Sequence, residues 1–81
     1  MEKILRKLNN ALNANDYESA KKIIENEIKR QGKKEEYYFY LALVTSDLKE
    51  KLNLYTKALD IKPNYLDALI NRGLVKNELK D

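Results

Sequence analysis

Residues 37–44 read Tyr-Tyr-Phe-Tyr-Leu-Ala-Leu-Val, eight positions without a charge, and hold four of the seven aromatics in the chain. High β-propensity would make this a strand, and a run this short cannot be typed by its own periodicity. A membrane span is excluded by length, since about 20 apolar residues are needed and this is the longest such run. The remaining reading is a helix wanted on more than one face. The flanking sequence decides between strand and helix.

The decision comes from an internal repeat. Residues 7–16 (KLNNALNAND), 38–47 (YFYLALVTSD) and 69–78 (LINRGLVKNE) align without a gap at a spacing of 31. Ala11, Ala42 and Gly73 form a small column, Leu12, Leu43 and Leu74 an identical one, and Leu8, Phe39 and Ile70 a large apolar one. Downstream, Asp16 aligns with Asp47, Tyr17 with Leu48, Ile23 with Leu54, Ile24 with Tyr55 and Ile28 with Leu59. Gly32 falls on Pro63, one helix breaker on another. The partners of the aromatic run, KLNNALNA and LINRGLVK, have helical patterning, so the run is read as a helix too.

Each unit then reads as two helices. The first places Ile4, Leu5, Leu8, Ala11 and Leu12 on one face. Asp16 can cap the second, which presents Tyr17, Ala20, Ile23, Ile24 and Ile28 and stops at Gly32. The third is the aromatic run. Asp47 and Glu50 have capping-box spacing for the fourth, which uses Leu48, Leu52, Tyr55, Leu59 and Ile61 and ends before Pro63. Asn64 can cap the fifth, with Leu66, Leu69, Ile70, Gly73 and Leu74 on one side. The expectation is one all-α domain over 1–81, with helices near 2–14, 17–31, 35–45, 48–61 and 65–79.

Composition agrees with this and narrows function. Two glycines, one proline and 36% charged residues beside 43% hydrophobic ones describe a helical, core-forming chain. A chain of 81 residues buries only about 60% of its unfolded surface, so its core is small. Neither cysteine nor histidine occurs, which removes disulfides, thiolate sites and the commonest general base and metal ligand. Ser19, Thr45, Ser46 and Thr56 lack a histidine to activate them. Glu35 and Glu36 are neighbours about 100° apart on a helix, better explained as first-turn acids than as a catalytic pair. Glu25 and Glu27, among Lys21, Lys22 and Lys29, read as a solvated face. No enzyme, metal or cofactor is expected. MEKILRKLNN has no continuous apolar core and does not read as a signal peptide, so the cytoplasm is the expected location.

The repeat resembles the tetratricopeptide repeat. Tyr55, Ala58 and Pro63 look like the F…A…P series closing that family's second helix. Asp67-Ala68-Leu69 with Arg72-Gly73 resembles the start of a following unit, with Leu69 in the Trp place. Tyr38, Leu41 and Ala42 look like W-x-x-L-G, and Asp16-Tyr17 with Ala20 like D-Y-x-x-A. The family period is 34. Here it is 31, Lys51 stands in an Ala place, and Lys7 and Asn10 stand in Trp and Leu places. The resemblance implies a right-handed α-solenoid of antiparallel hairpins, about two and a half units long, whose first helices line a peptide-binding groove. The implied groove residues are Leu5, Leu8, Asn9 and Leu12, then Glu36, Phe39, Tyr40 and Leu43, then Asp67, Ile70, Asn71 and Leu74. A carboxylate clamp is not expected, because of the residues in the corresponding places only Asn9 and Asn71 suit it. Arg72 and Lys76 suggest a polar outer face on helix five, which suits a chain that ends at Asp81.

Three functions follow in order. The first is a non-catalytic module that binds a protein or peptide on the apolar first-helix surface. The second is a self-associating scaffold, possible as a homodimer, since solenoids usually need three or more repeats. The third is nucleic-acid binding through Arg6, Lys7, Lys21, Lys22, Lys29, Arg30, Lys33 and Lys34. Net charge is +4 over residues 1–34 but only +3 over the whole chain, and acids interleave, so this ranks below the others. No membrane partner is expected. Leucines of the first helices are expected in the core more often than in the groove, whereas some of Tyr37, Phe39 and Tyr40 should be accessible.

Overall fold

A computed structural model describes the backbone of residues 2–80 and the side chains of residues 6–80. The chain is all-helical: α1 (Glu2–Asn13), α2 (Tyr17–Gln31), α3 (Glu35–Leu43), α4 (Leu48–Ile61) and α5 (Leu66–Leu79), with no strand among the described residues. The aromatic run is α3 and the residue after it. It ends two residues earlier than its sequence suggests. Thr45 is buried, donates its hydroxyl to the Leu41 carbonyl at 2.7 Å and its N–H to the Ala42 carbonyl at 3.2 Å, and so closes the last turn tightly.

The helix ends follow local chemistry. Asp16 accepts from the Ser19 N–H at 3.1 Å and from the Ser19 hydroxyl at 2.6 Å, which fills two oxygens of the α2 cap. Asp47 accepts from the Lys49 N–H at 3.0 Å, and Glu50 reaches Lys21 at 3.8 Å instead of turning back to the cap. Gly32 has φ +91°, a backbone conformation that costs glycine little, and its N–H closes on Ile28. Lys62, ahead of Pro63, is extended as the proline ring requires. Asn64 is not the cap of α5. That position is Tyr65, without a side-chain cap bond, just as Lys34 caps α3 without one.

The helices pack in chain order, α1 on α2, α2 on α3, α3 on α4 and α4 on α5. The molecule measures 35 × 26 × 18 Å, and its smallest dimension is that of two helix layers at a spacing of about 8–10 Å. Ala20, Ala42, Ala58 and Ala68, one from each helix after α1, have no exposed surface. The two largest fully buried side chains, Ile24 and Tyr55, occupy the same column of the 31-residue register.

Two expectations are corrected. Glu27 is not on a solvated face: it is only 7% exposed, in the column of the fully buried Ala58. Its carboxylate stays polar-partnered through the Gln31 amide at 2.9 Å and Arg30 at 3.5 Å. The second concerns α5, where the leucines are expected in the core: α5 turns Ala68 and Val75 inward and leaves Leu66, Leu69 and Leu74 exposed. Ala68 lets α4 approach closely where the larger stripe would hold it off. The outward side of α5 is therefore not polar throughout: Leu66 and Leu69 stand exposed beside Arg72 and Lys76.

Two outcomes are expected. Tyr55→Ala removes the largest buried side chain and should cost about 3–5 kcal/mol, a large share of the roughly 4–12 kcal/mol available to a domain this size, read by urea unfolding. The Ser19 hydrogen bonds hold the Asp16 carboxyl below its usual 3.8. Its folded value lies under its unfolded value, so its contribution is present above pH 3.8 and disappears as pH falls through the folded value. Asp16→Asn should lower Tm at pH 7, and the gap from wild type should shrink on acidification below about pH 4.

Candidate functional site

The residues singled out on the first helices form four rows at 31-residue spacing: Leu5, Glu36 and Asp67; Leu8, Phe39 and Ile70; Asn9, Tyr40 and Asn71; Leu12, Leu43 and Leu74. Exposure climbs along each apolar row towards the C-terminus. Leu8 is 3% exposed, Phe39 is half-buried and Ile70 is 54% exposed. Leu12 is half-buried, Leu43 is 45% exposed and Leu74 is 55% exposed. Leu8 is thus core and leaves the candidate surface. Asn9 is exposed on its own, and the Leu5 side chain lies outside the described residues.

What remains is a face built by α3 and α5. Tyr37 and Tyr38 are buried, while Phe39 and Tyr40 are each partly open. Phe39 is the hub of the aromatics, with ring centroids 5.9 Å from Tyr40, 5.8 Å from Tyr55 and 5.4 Å from Tyr65. Tyr65 was absent from the sequence-derived surface. It precedes α5 in the position where Lys34 precedes α3, and only the packing shows that it bridges the two first helices. Asn71 donates its amide to the Asp67 carbonyl at 2.7 Å, so its side chain is committed along α5.

The edge of this face at the helix N-termini is acidic. Glu35 and Glu36 occupy the first turn of α3 and Asp67 that of α5, where the helix dipoles favour carboxylates. They surround two phenols. Burial, followed by the charges of Glu36 and Asp67, pushes the Tyr40 hydroxyl above its usual range. Burial also dominates at Tyr65, with Tyr40, Asp67, Glu36 and Glu35 adding to it, and raises that phenol to about 12. Lys62 lies over the Tyr65 ring at 5.4 Å. The arrangement offers apolar area bounded by hydrogen-bonding groups, and a proton is held firmly on each phenol at neutral pH.

A cleft of about 240 Å³ opens between the start of α2 and the α3–α4 turn, lined by Tyr17, Glu18, Lys21, Val44, Thr45, Ser46, Asp47 and Glu50. A neighbouring one reaches Leu43, which ties this space to one end of the α3–α5 face. The basic residues of the N-terminal half are partly engaged. Lys21 pairs with Glu50, Arg30 with Glu27, and Lys34 lies 5.9 Å from the Tyr37 ring centroid. Compared with known proteins, the chain matches no family model, no curated protein and no solved structure.

The raised phenol gives a signed expectation. Protonated Tyr65 contributes stability that is fully present below pH 10 and is lost as pH rises towards 12. Tyr65→Phe keeps the ring against Phe39, so its Tm should fall less than that of wild type across that window. Its spectrophotometric titration should lack a phenolate that forms near pH 12 in wild type.

Proposed function

We propose that this chain is a non-catalytic interaction module, built as a tetratricopeptide-like stack of helical hairpins, that docks a protein segment on the α3–α5 face. The observation that carries this reading is the exposure of Leu43 on α3 and of Ile70 and Leu74 on α5, two helices linked by the Phe39–Tyr65 ring contact. The small core of this chain would be larger if these side chains were inside, and a cluster of apolar side chains left in water is characteristic of an interaction surface. Packing in chain order and the shared burial of Ile24 and Tyr55 support the repeat architecture.

The chemistry of the face supports an amphipathic helix or an extended apolar segment. Tyrosine supplies contact area and a hydroxyl at low cost in side-chain entropy. The rim at the helix N-termini supplies the carboxylates of Glu35, Glu36 and Asp67 to orient a polar edge. No helix among the described residues is long and apolar enough to cross a membrane, and the ion pairs and cation–π contacts of the basic residues weaken a nucleic-acid reading.

Selection from a displayed library of 15-residue peptides should give binders whose amide shifts map to Phe39–Leu43 and Ile70–Leu74. Tyr40→Ala and Ile70→Ala, both on partly or fully open positions, should each weaken the selected peptide by roughly tenfold or more without loss of helicity. Shifts confined to the α2 cleft, or binding indifferent to both substitutions, would refute the assignment.

A further inference from the structure

The exposed stripe on α5 is specific enough to identify what covers it. Leu66, Leu69, Ile70, Gly73 and Leu74 follow the spacing i, i+3, i+4, i+7, i+8, one continuous seam over two turns. Leu66 is 65% exposed, the most open of the four large side chains. The seam lies opposite Ala68 and Val75, the side that α4 covers. Among the described residues its large side chains stand exposed.

Gly73 adds an independent observation. It sits inside α5 with ordinary helical backbone, where glycine is among the poorest choices. A Cβ there would meet nothing within 4 Å, so neither a turn nor a contact within the fold requires it. A glycine in the middle of an outward apolar seam permits the close approach of another helix from outside.

The borders of the seam carry opposite charges. By helical geometry Arg72 and Lys76 lie along one edge, and Asp67 and Glu78 along the other. None of the four is ion-paired among the described residues. If two copies of α5 face each other in parallel about a two-fold axis, the basic edge of each meets the acidic edge of the other. The antiparallel pairing sets basic against basic and acidic against acidic.

We propose that this stripe is a homodimer seam in which α5 of one copy packs in parallel on α5 of a second, with Gly73 at the crossing. The proposal rests on the reading of α5 as a docking side and names the occupant. A 14-residue helix is about 21 Å long, and a single such seam buries less than the ~800 Å² per partner of a standard interface. The dimer is therefore weak, populated at micromolar to sub-millimolar chain. Ile70 and Leu74 belong to both the seam and the α3–α5 face, so a second copy and a bound segment exclude each other. Self-association thereby sets a threshold that a partner must overcome.

The test uses the full chain in sedimentation experiments over about 10 μM to 1 mM, with two variants. Wild type should pass from monomer to dimer. Gly73→Gln, whose side chain enters open space in the monomer, should keep or raise Tm while weakening the dimer by roughly tenfold or more. The chain lacks cysteine, so a single introduced thiol reports geometry. Asn77→Cys, one heptad after Ile70, should form a disulfide-linked dimer on mild oxidation, because a parallel seam brings position 77 to its own copy. Asn53→Cys, at an exposed position of α4, should not. A wild type that stays monomeric throughout overturns the dimer, as does a Gly73→Gln chain that associates like wild type. Failure of Asn77→Cys to cross-link at concentrations where wild type is dimeric overturns the parallel arrangement. A monomer that still binds a selected peptide at Tyr40 and Ile70 leaves the docking face standing and removes only the second copy as its occupant.

Discussion

Close approach of helix backbones at alanine is the constraint on which the rest of this structure depends. Ala20, Ala42, Ala58 and Ala68 are each wholly buried, one per helix from α2 to α5. A larger side chain at any of them would push two helices apart and strip contacts from Ile24, Tyr37, Leu41, Leu54 and Tyr55, which fill the space around them. In a domain of 81 residues few other contacts could compensate. The same requirement chooses the orientation of α5. Its leucine stripe has more apolar area than Ala68 and Val75, yet the alanine side is the one that lets α4 come near.

That choice turns a stability constraint into a functional one. Leu8, Phe39 and Ile70 stand at a spacing of 31 and are all large and apolar, but their environments differ. Leu8 is enclosed, Phe39 is half enclosed by its aromatic neighbours, and Ile70 is open. Apolar area thus accumulates at the α3–α5 end of the molecule. The proposed docking face and the proposed dimer seam are two uses of that accumulated area, and they compete because they share Ile70 and Leu74.

Electrostatics shape this end without creating it. Glu35, Glu36 and Asp67 stand where helix N-termini favour carboxylates, and their effect on Tyr40 and Tyr65 follows from that placement together with burial. Arg72 and Lys76 against Asp67 and Glu78 give α5 two unlike edges, which orient a partner helix more than they attract it. In the N-terminal half, positive charge is partly taken up by Glu50, Glu27 and the Tyr37 ring.

Much of the fold was legible in the residues because it is local. Five helices, the Asp16 and Asp47 caps, the stop at Gly32 and the extended Lys62 before Pro63 each depend on neighbours within about four positions, and the 31-residue register made the aromatic run a helix against its own β-propensity. The burial of Glu27 was not legible, since its surroundings in sequence are charged and only the third dimension places it in the column of Ala58. Nor was Tyr65, which gains its role from Phe39 on another helix. Sequence alone therefore determined the five helices, most of their ends and the leucine side of α5. Tertiary structure decided which side is covered, because coverage depends on how closely α4 can approach, and pattern along one helix does not encode the distance to the next.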